Sequence, residues 1–249
     1  MRVMLENHRP QKRFGQHFLV NGHIADRIVD SASIGSEDTV LEIGPGDGRL
    51  TEKLLEREPK SLTVVEKDSR WAEHLREKFG KKVNVIEGDF LEQKNLSADV
   101  IVGNLPYYVS SPIIFSLAKI PFKAAILMVQ LEFAKRMVAI PKTSEYGRLS
   151  VTSQILFNTK LIKKVKKGSF TPPPKVDSAI IILKRKEVEM DQFLEDFIRI
   201  LFQHKNQMIR NALHHGGIET ELELPKKRAR ELSKEEILEL SEKLRASLQ

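Results

Sequence analysis

Asn104-Leu105-Pro106-Tyr107 brings together three groups suited to one task. The Asn104 side-chain oxygen and the Leu105 carbonyl can accept the two hydrogens of a planar exocyclic amine, while Tyr107 stacks on its ring. Pro106 stops the strand that delivers them. Taken alone, the stretch reads equally well as a strand followed by a Pro-containing turn. Three other positions change that balance. Gly44-Pro45-Gly46-Asp47-Gly48 is a glycine turn that lets backbone N–H groups approach a ligand. A dinucleotide fingerprint wants glycine three residues beyond Gly46, where Arg49 stands, so a nicotinamide dehydrogenase is disfavoured. Negative charge on Glu42, just before the turn, would repel a pyrophosphate and suits a cationic ligand such as S-adenosylmethionine. Glu66, 22 positions after Gly44, is placed for ribose hydroxyls, and Asp89 can accept from an adenine amino group beside Phe90.

Those residues need a scaffold, and the pattern supplies one. β-branched, apolar runs at 39–43, 61–66, 83–87, 100–104, 124–130 and 179–184 predict strands, and amphipathic stretches at 21–33, 50–58, 69–79, 110–118 and 131–139 predict helices between them. Strand–helix alternation implies an open α/β sheet, in which ligands bind at the carboxyl ends of the strands. Gly44, Glu66, Asp89 and Asn104 all follow or end such strands. Residues 149–157 predict an apolar helix or a sixth element. Five lysines interleaved with apolar residues at 160–167 fit either an edge strand defended by charge or a phosphate-contacting stripe. The loop 168–178 is stiffened by Pro172, Pro173 and Pro174, and its Phe170 is a second candidate stacking surface or a buried anchor. Helices at 190–203, 206–215 and 233–248, the last opened by the capping box Ser233-Lys234-Glu235-Glu236, predict a small helical domain. The expected division is therefore a catalytic domain over 1–186, with 1–20 as a basic arm and covering loop, and a docking domain over 187–249.

Composition narrows the classes. The chain of 249 residues has no cysteine, which excludes disulfides, thiolate metal sites and a Cys nucleophile. No metal-ligand spacing occurs, so no metal is expected. No apolar run is long enough to span a bilayer, and a soluble, cytoplasmic protein is expected. With 41 basic against 34 acidic residues the net charge is +7, which favours a polyanionic partner. Arg13, Lys163, Lys164, Lys166, Lys167, Lys205 and Arg210 are candidate phosphate contacts.

Five ordered segments resemble the small-subunit ribosomal RNA adenine dimethyltransferases (KsgA-type): Phe14-Gly15-Gln16-His17-Phe18-Leu19, Glu42-Ile43-Gly44-Pro45-Gly46, Gly103-Asn104-Leu105-Pro106-Tyr107, Tyr146-Gly147-Arg148-Leu149-Ser150 and 170–178. The likeness runs from about residue 9 to 215. It implies a Rossmann-like methyltransferase sheet with a small C-terminal helical domain. It also implies S-adenosylmethionine bound by His17, Leu19, Gly44, Glu66, Asp89 and Asn104, with Gln16, Glu42 and Gly46 beside them. His17, by itself an ordinary loop histidine, thus becomes a cofactor residue. Asn104, Leu105, Pro106 and Tyr107 are the implied catalytic quartet. The family more often has Asn at the positions of His17 and Tyr108. The implied reaction is dimethylation at N6 of two adjacent adenosines near the 3′ end of small-subunit rRNA, within an assembling subunit, by a monomer. The rival readings are a large-subunit rRNA adenine methyltransferase and a noncatalytic RNA-binding assembly factor.

Overall fold

The computed structural model describes residues 16–188 and 190–248, which form two compact units. Arg13 and the Phe14-Gly15 start of the first motif lie outside the described residues. The first unit takes in the described residues up to Ala134 together with Lys160–Arg185. Its strands are β1 (Phe18–Leu19), β2 (Thr39–Ile43), β3 (Ser61–Glu66), β4 (Asn84–Glu87), β5 (Val100–Asn104) and β6 (Ala124–Gln130), with β7 (Phe157–Val165, in this unit from Lys160 onward), β8 (Phe170–Thr171) and β9 (Ser178–Arg185) following. Seven of them make one sheet in the order β4-β3-β2-β5-β6-β9-β7. The strands from β4 to β6 run parallel, and β9 is antiparallel to β6.

The strand order reverses between β2 and β5, which opens a crevice at their carboxyl ends. Register aligns those ends: Ile43 lies opposite Val65 on one side and Gly103 on the other, and Glu66 opposite Glu87. The helices that flank the sheet start where the sequence offers caps. Asn21 Oδ1 accepts from Ile24 N–H at 3.3 Å and opens α1 (Gly22–Ala32), which buries Ile24, Ala25, Ile28, Val29 and Ala32. Asp68 does the same for Arg70 at the start of α3 (Ser69–Phe79). Between them α2 (Arg49–Leu55) follows the glycine turn, and α4 (Ser110–Leu117) and α5 (Leu131–Met137) complete the run. Each fully buried leucine or isoleucine of this core contributes about 1.5–3 kcal/mol relative to exposure.

The second unit gathers Lys135–Thr159 with the described residues from Lys186 onward. Its helices are α6 (Arg148–Leu156), α7 (Gln192–Gln203), α8 (Ile209–His215) and α9 (Lys234–Leu248). The chain passes from the first unit to the second between Arg185 and Lys186, but Lys135–Thr159, expected with the catalytic part, falls in the helical unit, and the reason is packing. Tyr146, Val151 and Ile155 share one buried core with Phe197, Ile198, Leu213 and Leu244. The Tyr146 hydroxyl, on a side chain 1% exposed, donates to the Leu232 carbonyl at 2.8 Å. The capping box at Ser233 forms as read, with Glu236 N–H donating to Ser233 Oγ and Ser233 N–H to Glu236 Oε2. No helix among the described residues is long and apolar enough to cross a membrane.

Candidate active site

A cleft open to solvent lies at the carboxyl ends of the parallel strands, lined by Gln16, His17, Gly44, Gly46, Glu66, Asp89, Asn104, Leu105, Pro106 and Tyr107 among others. The strand order sets those ends side by side as β4, β3, β2, β5. Sequence neighbours would not have predicted that Gly44 stands between Glu66 and Asn104.

The glycine turn after β2 is held from β3. Gly44 N–H donates to the Val65 carbonyl at 3.0 Å, and Gly46 N–H donates to Glu66 Oε2 at 3.0 Å. The other Glu66 oxygen accepts from Asp68 N–H at 2.9 Å. Burial pushes the Glu66 carboxyl above its ordinary range, against the pull of those N–H groups. Each of its oxygens still has a lone pair for a ligand hydroxyl. Gly46 has φ +56°, and a Cβ there would stand 2.6 Å from the Phe18 ring, so β1 closes tightly over the turn. Asp89 is opposed by burial but held below the usual carboxylate range by Lys67, whose Nζ lies 2.7 Å from Oδ2.

At the end of β5 the amide of Asn104 is oriented from a distant segment. Its Nδ2 donates to the His17 carbonyl at 2.9 Å, which leaves Oδ1 as the accepting end. Leu105 N–H donates to the Met128 carbonyl at 3.0 Å and anchors the turn on β6. The Tyr107 hydroxyl shares a 2.8 Å hydrogen bond with Ser178 Oγ, and its ring lies 5.8 Å from the His17 ring, tilted by 31°. Burial raises the Tyr107 hydroxyl above its ordinary value. His17 Nδ1 in turn lies 2.8 Å from the Pro172 carbonyl oxygen, and β1 pairs antiparallel with β8.

Several expectations are corrected here. Glu42 does not reach the cleft: it is 1% exposed beneath the turn, where Thr51 Oγ1 donates to it at 2.6 Å. Burial raises its carboxyl to about 8, so Glu42 does not present the negative charge expected before the turn, and Glu66 is the acid that lines the cleft. Leu19 and Phe170 are both buried in the main core, Phe170 only 3% exposed, because β1 and β8 pair across Leu19 and Phe170. Phe170 is therefore an anchor of the core, whereas Tyr107 is among the aromatic rings that line the cleft. The motif from 170 to 178 supplies Pro172 and Ser178 to hold His17 and Tyr107, while the Tyr146 motif braces the helical unit.

The basic candidates divide. Lys163, Lys164, Lys166 and Lys167 are exposed at the end of β7, which is a sheet edge; Lys164 pairs with Asp177 at 2.9 Å. Lys205 Nζ donates to the Ser144 and Tyr146 carbonyls, and the Arg210 guanidinium donates to those of Thr220 and Leu222, so both brace their own unit. Lys67 and Phe18 were not foreseen. A lysine directly after the strand-end acid was the available signal for the first; the second is visible only in three dimensions.

With that geometry in view, the comparisons are specific. The ribosomal RNA adenine dimethylase family matches residues 7–246. A probable ribosomal RNA small subunit methyltransferase A of Thermococcus sibiricus is 41% identical over 209 residues, covering 83% of this chain and 76% of that protein. Its counterpart in Pyrococcus abyssi is 37% identical over 253 residues, covering 95% and 93%. Among solved structures, a dimethyladenosine transferase from Plasmodium falciparum superposes with TM-score 0.81 at 31% identity, covering 93% of this chain and 98% of that one. The 23S rRNA methyltransferase ErmE gives TM-score 0.68 at 29% identity, covering 92% and 99%. A sheet with its ligand ends aligned, an oriented strand-end amide and a match over nearly the full length lead to one assignment: the chain belongs to the ribosomal RNA adenine dimethylase family.

Proposed function

We propose that this protein transfers methyl groups from S-adenosylmethionine to N6 of two adjacent adenosines near the 3′ end of small-subunit rRNA, giving N6,N6-dimethyladenosine. The observation that carries the reading is Asn104, its Nδ2 engaged by the His17 carbonyl, beside Leu105 and Tyr107 in the cleft that also holds Glu66 and Asp89. The names of the relatives favour the small subunit over the large one.

The donor set fits S-adenosylmethionine. Glu66 has acceptor capacity for ribose hydroxyls, Asp89 for an adenine amino group, and Gly44 and Gly46 let backbone approach closely. His17 and Gln16 line the same cleft. When bound, the cofactor supplies an electrophilic methyl on a sulfonium. The protein's own residues prepare the amine. The N6 lone pair is delocalised into the ring, and acceptance of its hydrogens by Asn104 Oδ1 and the Leu105 carbonyl favours a more pyramidal, more nucleophilic nitrogen. Tyr107 stacks on the flipped base, and its hydroxyl bond to Ser178 fixes the ring. Catalysis is positioning and electrostatics, with no dedicated general base. The exposed lysines at the end of β7 contact phosphates of an assembling small subunit. The protein acts as a cytoplasmic monomer.

The test is transfer of labelled methyl to small subunits lacking the modification, with large subunits alongside. Label in N6,N6-dimethyladenosine of small subunits alone supports the proposal. Label in large subunits moves the protein to the branch of ErmE. Cofactor binding with no label in either makes an assembly factor the better reading.

A further inference from the structure

We infer that Tyr108 is a stacking platform for the nucleotide next to the target adenosine, a positioning residue for the RNA rather than for the cofactor; this rests on the function proposed above. Two tyrosines stand side by side after Pro106, and the structure treats them oppositely. Tyr107 is half-buried, its hydroxyl bonded to Ser178 and its ring against His17. Tyr108 also lines the cleft, yet its side chain is 60% exposed and makes no hydrogen bond or ring contact among the described residues. It is held at the rim by its backbone, in the short turn of 3₁₀ helix Tyr107–Val109 that leads directly into α4.

A large aromatic ring exposed at a cleft mouth is free to stack on something planar that arrives from solvent. The reaction provides such a partner. Drawing one base out of a stack to meet Tyr107 leaves the neighbouring base with a bare face, and an aromatic side chain beside the entrance covers it. A sequence-tolerant stack suits this place because every base has a π-face. The nearby charge fits as well. Lys67 lines the same cleft and is 54% exposed, although its ammonium is engaged by Asp89.

Because Tyr108 is exposed, its replacement leaves the fold intact. The full chain, S-adenosylmethionine and unmethylated small subunits are assayed for the wild type, Tyr108→Ala and Tyr108→Phe, with cofactor affinity measured by calorimetry. Tyr108→Ala should raise KM for the subunit about tenfold, equivalent to about 1.4 kcal/mol, with a much smaller change in kcat and the same cofactor affinity. Tyr108→Phe should restore KM to within about twofold, since the ring and not the hydroxyl does the stacking. A matching loss of cofactor affinity in Tyr108→Ala would show that the ring covers the cofactor and overturn the inference, as would an unchanged KM. Failure of the wild type to methylate small subunits would instead overturn the function on which it rests.

Discussion

A strand-end amide has a donating end and an accepting end, and in Asn104 the first is already engaged by the His17 carbonyl. That fixes which end can meet an incoming amine. Asn104→Ala should therefore reduce methyl transfer by about 100-fold or more, in line with loss of one preorganised polar group, while S-adenosylmethionine still binds. Single-turnover methylation beside calorimetry checks this, and unchanged turnover would remove Asn104 from the mechanism. Glu42 makes a different prediction. Its carboxyl is raised from 4.5 to about 8 by burial. An acid that holds its proton more tightly when folded stabilises below its unfolded value and loses that stability as pH climbs from about 4.5 to about 8. The loss is on the order of a few kcal/mol. Glu42→Gln retains an acceptor for Thr51 without the charge, so urea unfolding of the variant should lose less stability between pH 5 and pH 8 than the wild type. Parallel profiles would contradict the buried-acid account.

At the scale of elements, the glycine turn and β1 act together. Gly46 is left-handed, and the Phe18 ring occupies the place a Cβ would take. Gly46→Ala should cost about 1–3 kcal/mol by chemical denaturation and also weaken cofactor binding, because the turn and Phe18 must both shift. An alanine variant with wild-type stability would mean that β1 yields freely. The pairing of β1 with β8 is the link that carries Phe18 over the turn and brings the His17 carbonyl to Asn104. Two residues per strand is too short a run for alternation to reveal, and the partners lie more than a hundred positions apart. Here the reading of 1–20 as a covering loop lacked its main physical content, which is a strand pair.

For the molecule as a whole, the division of the chain matters. Residues cut after 186 would keep Tyr146, Val151 and Ile155 but lose the helices that bury them. Such a fragment should express poorly or aggregate, whereas the full chain unfolds cooperatively; solubility and thermal melting of the two decide it, and a soluble, cooperatively melting 1–186 fragment would overturn the assignment of Lys135–Thr159 to the helical unit. What the sequence by itself determined was local in origin. Strand and helix order followed from hydrophobic period, the start of the last helix from the capping box at Ser233, and the ligand side of the sheet from Gly44, Glu66, Asp89 and Asn104 at strand ends. Only the tertiary structure decided that Glu66 and not Glu42 faces the cleft, that Phe170 anchors the core, and that the segment around Tyr146 belongs with the last helices. Each of those outcomes depends on which surfaces bury one another, and the partners that settle burial are far away in the chain.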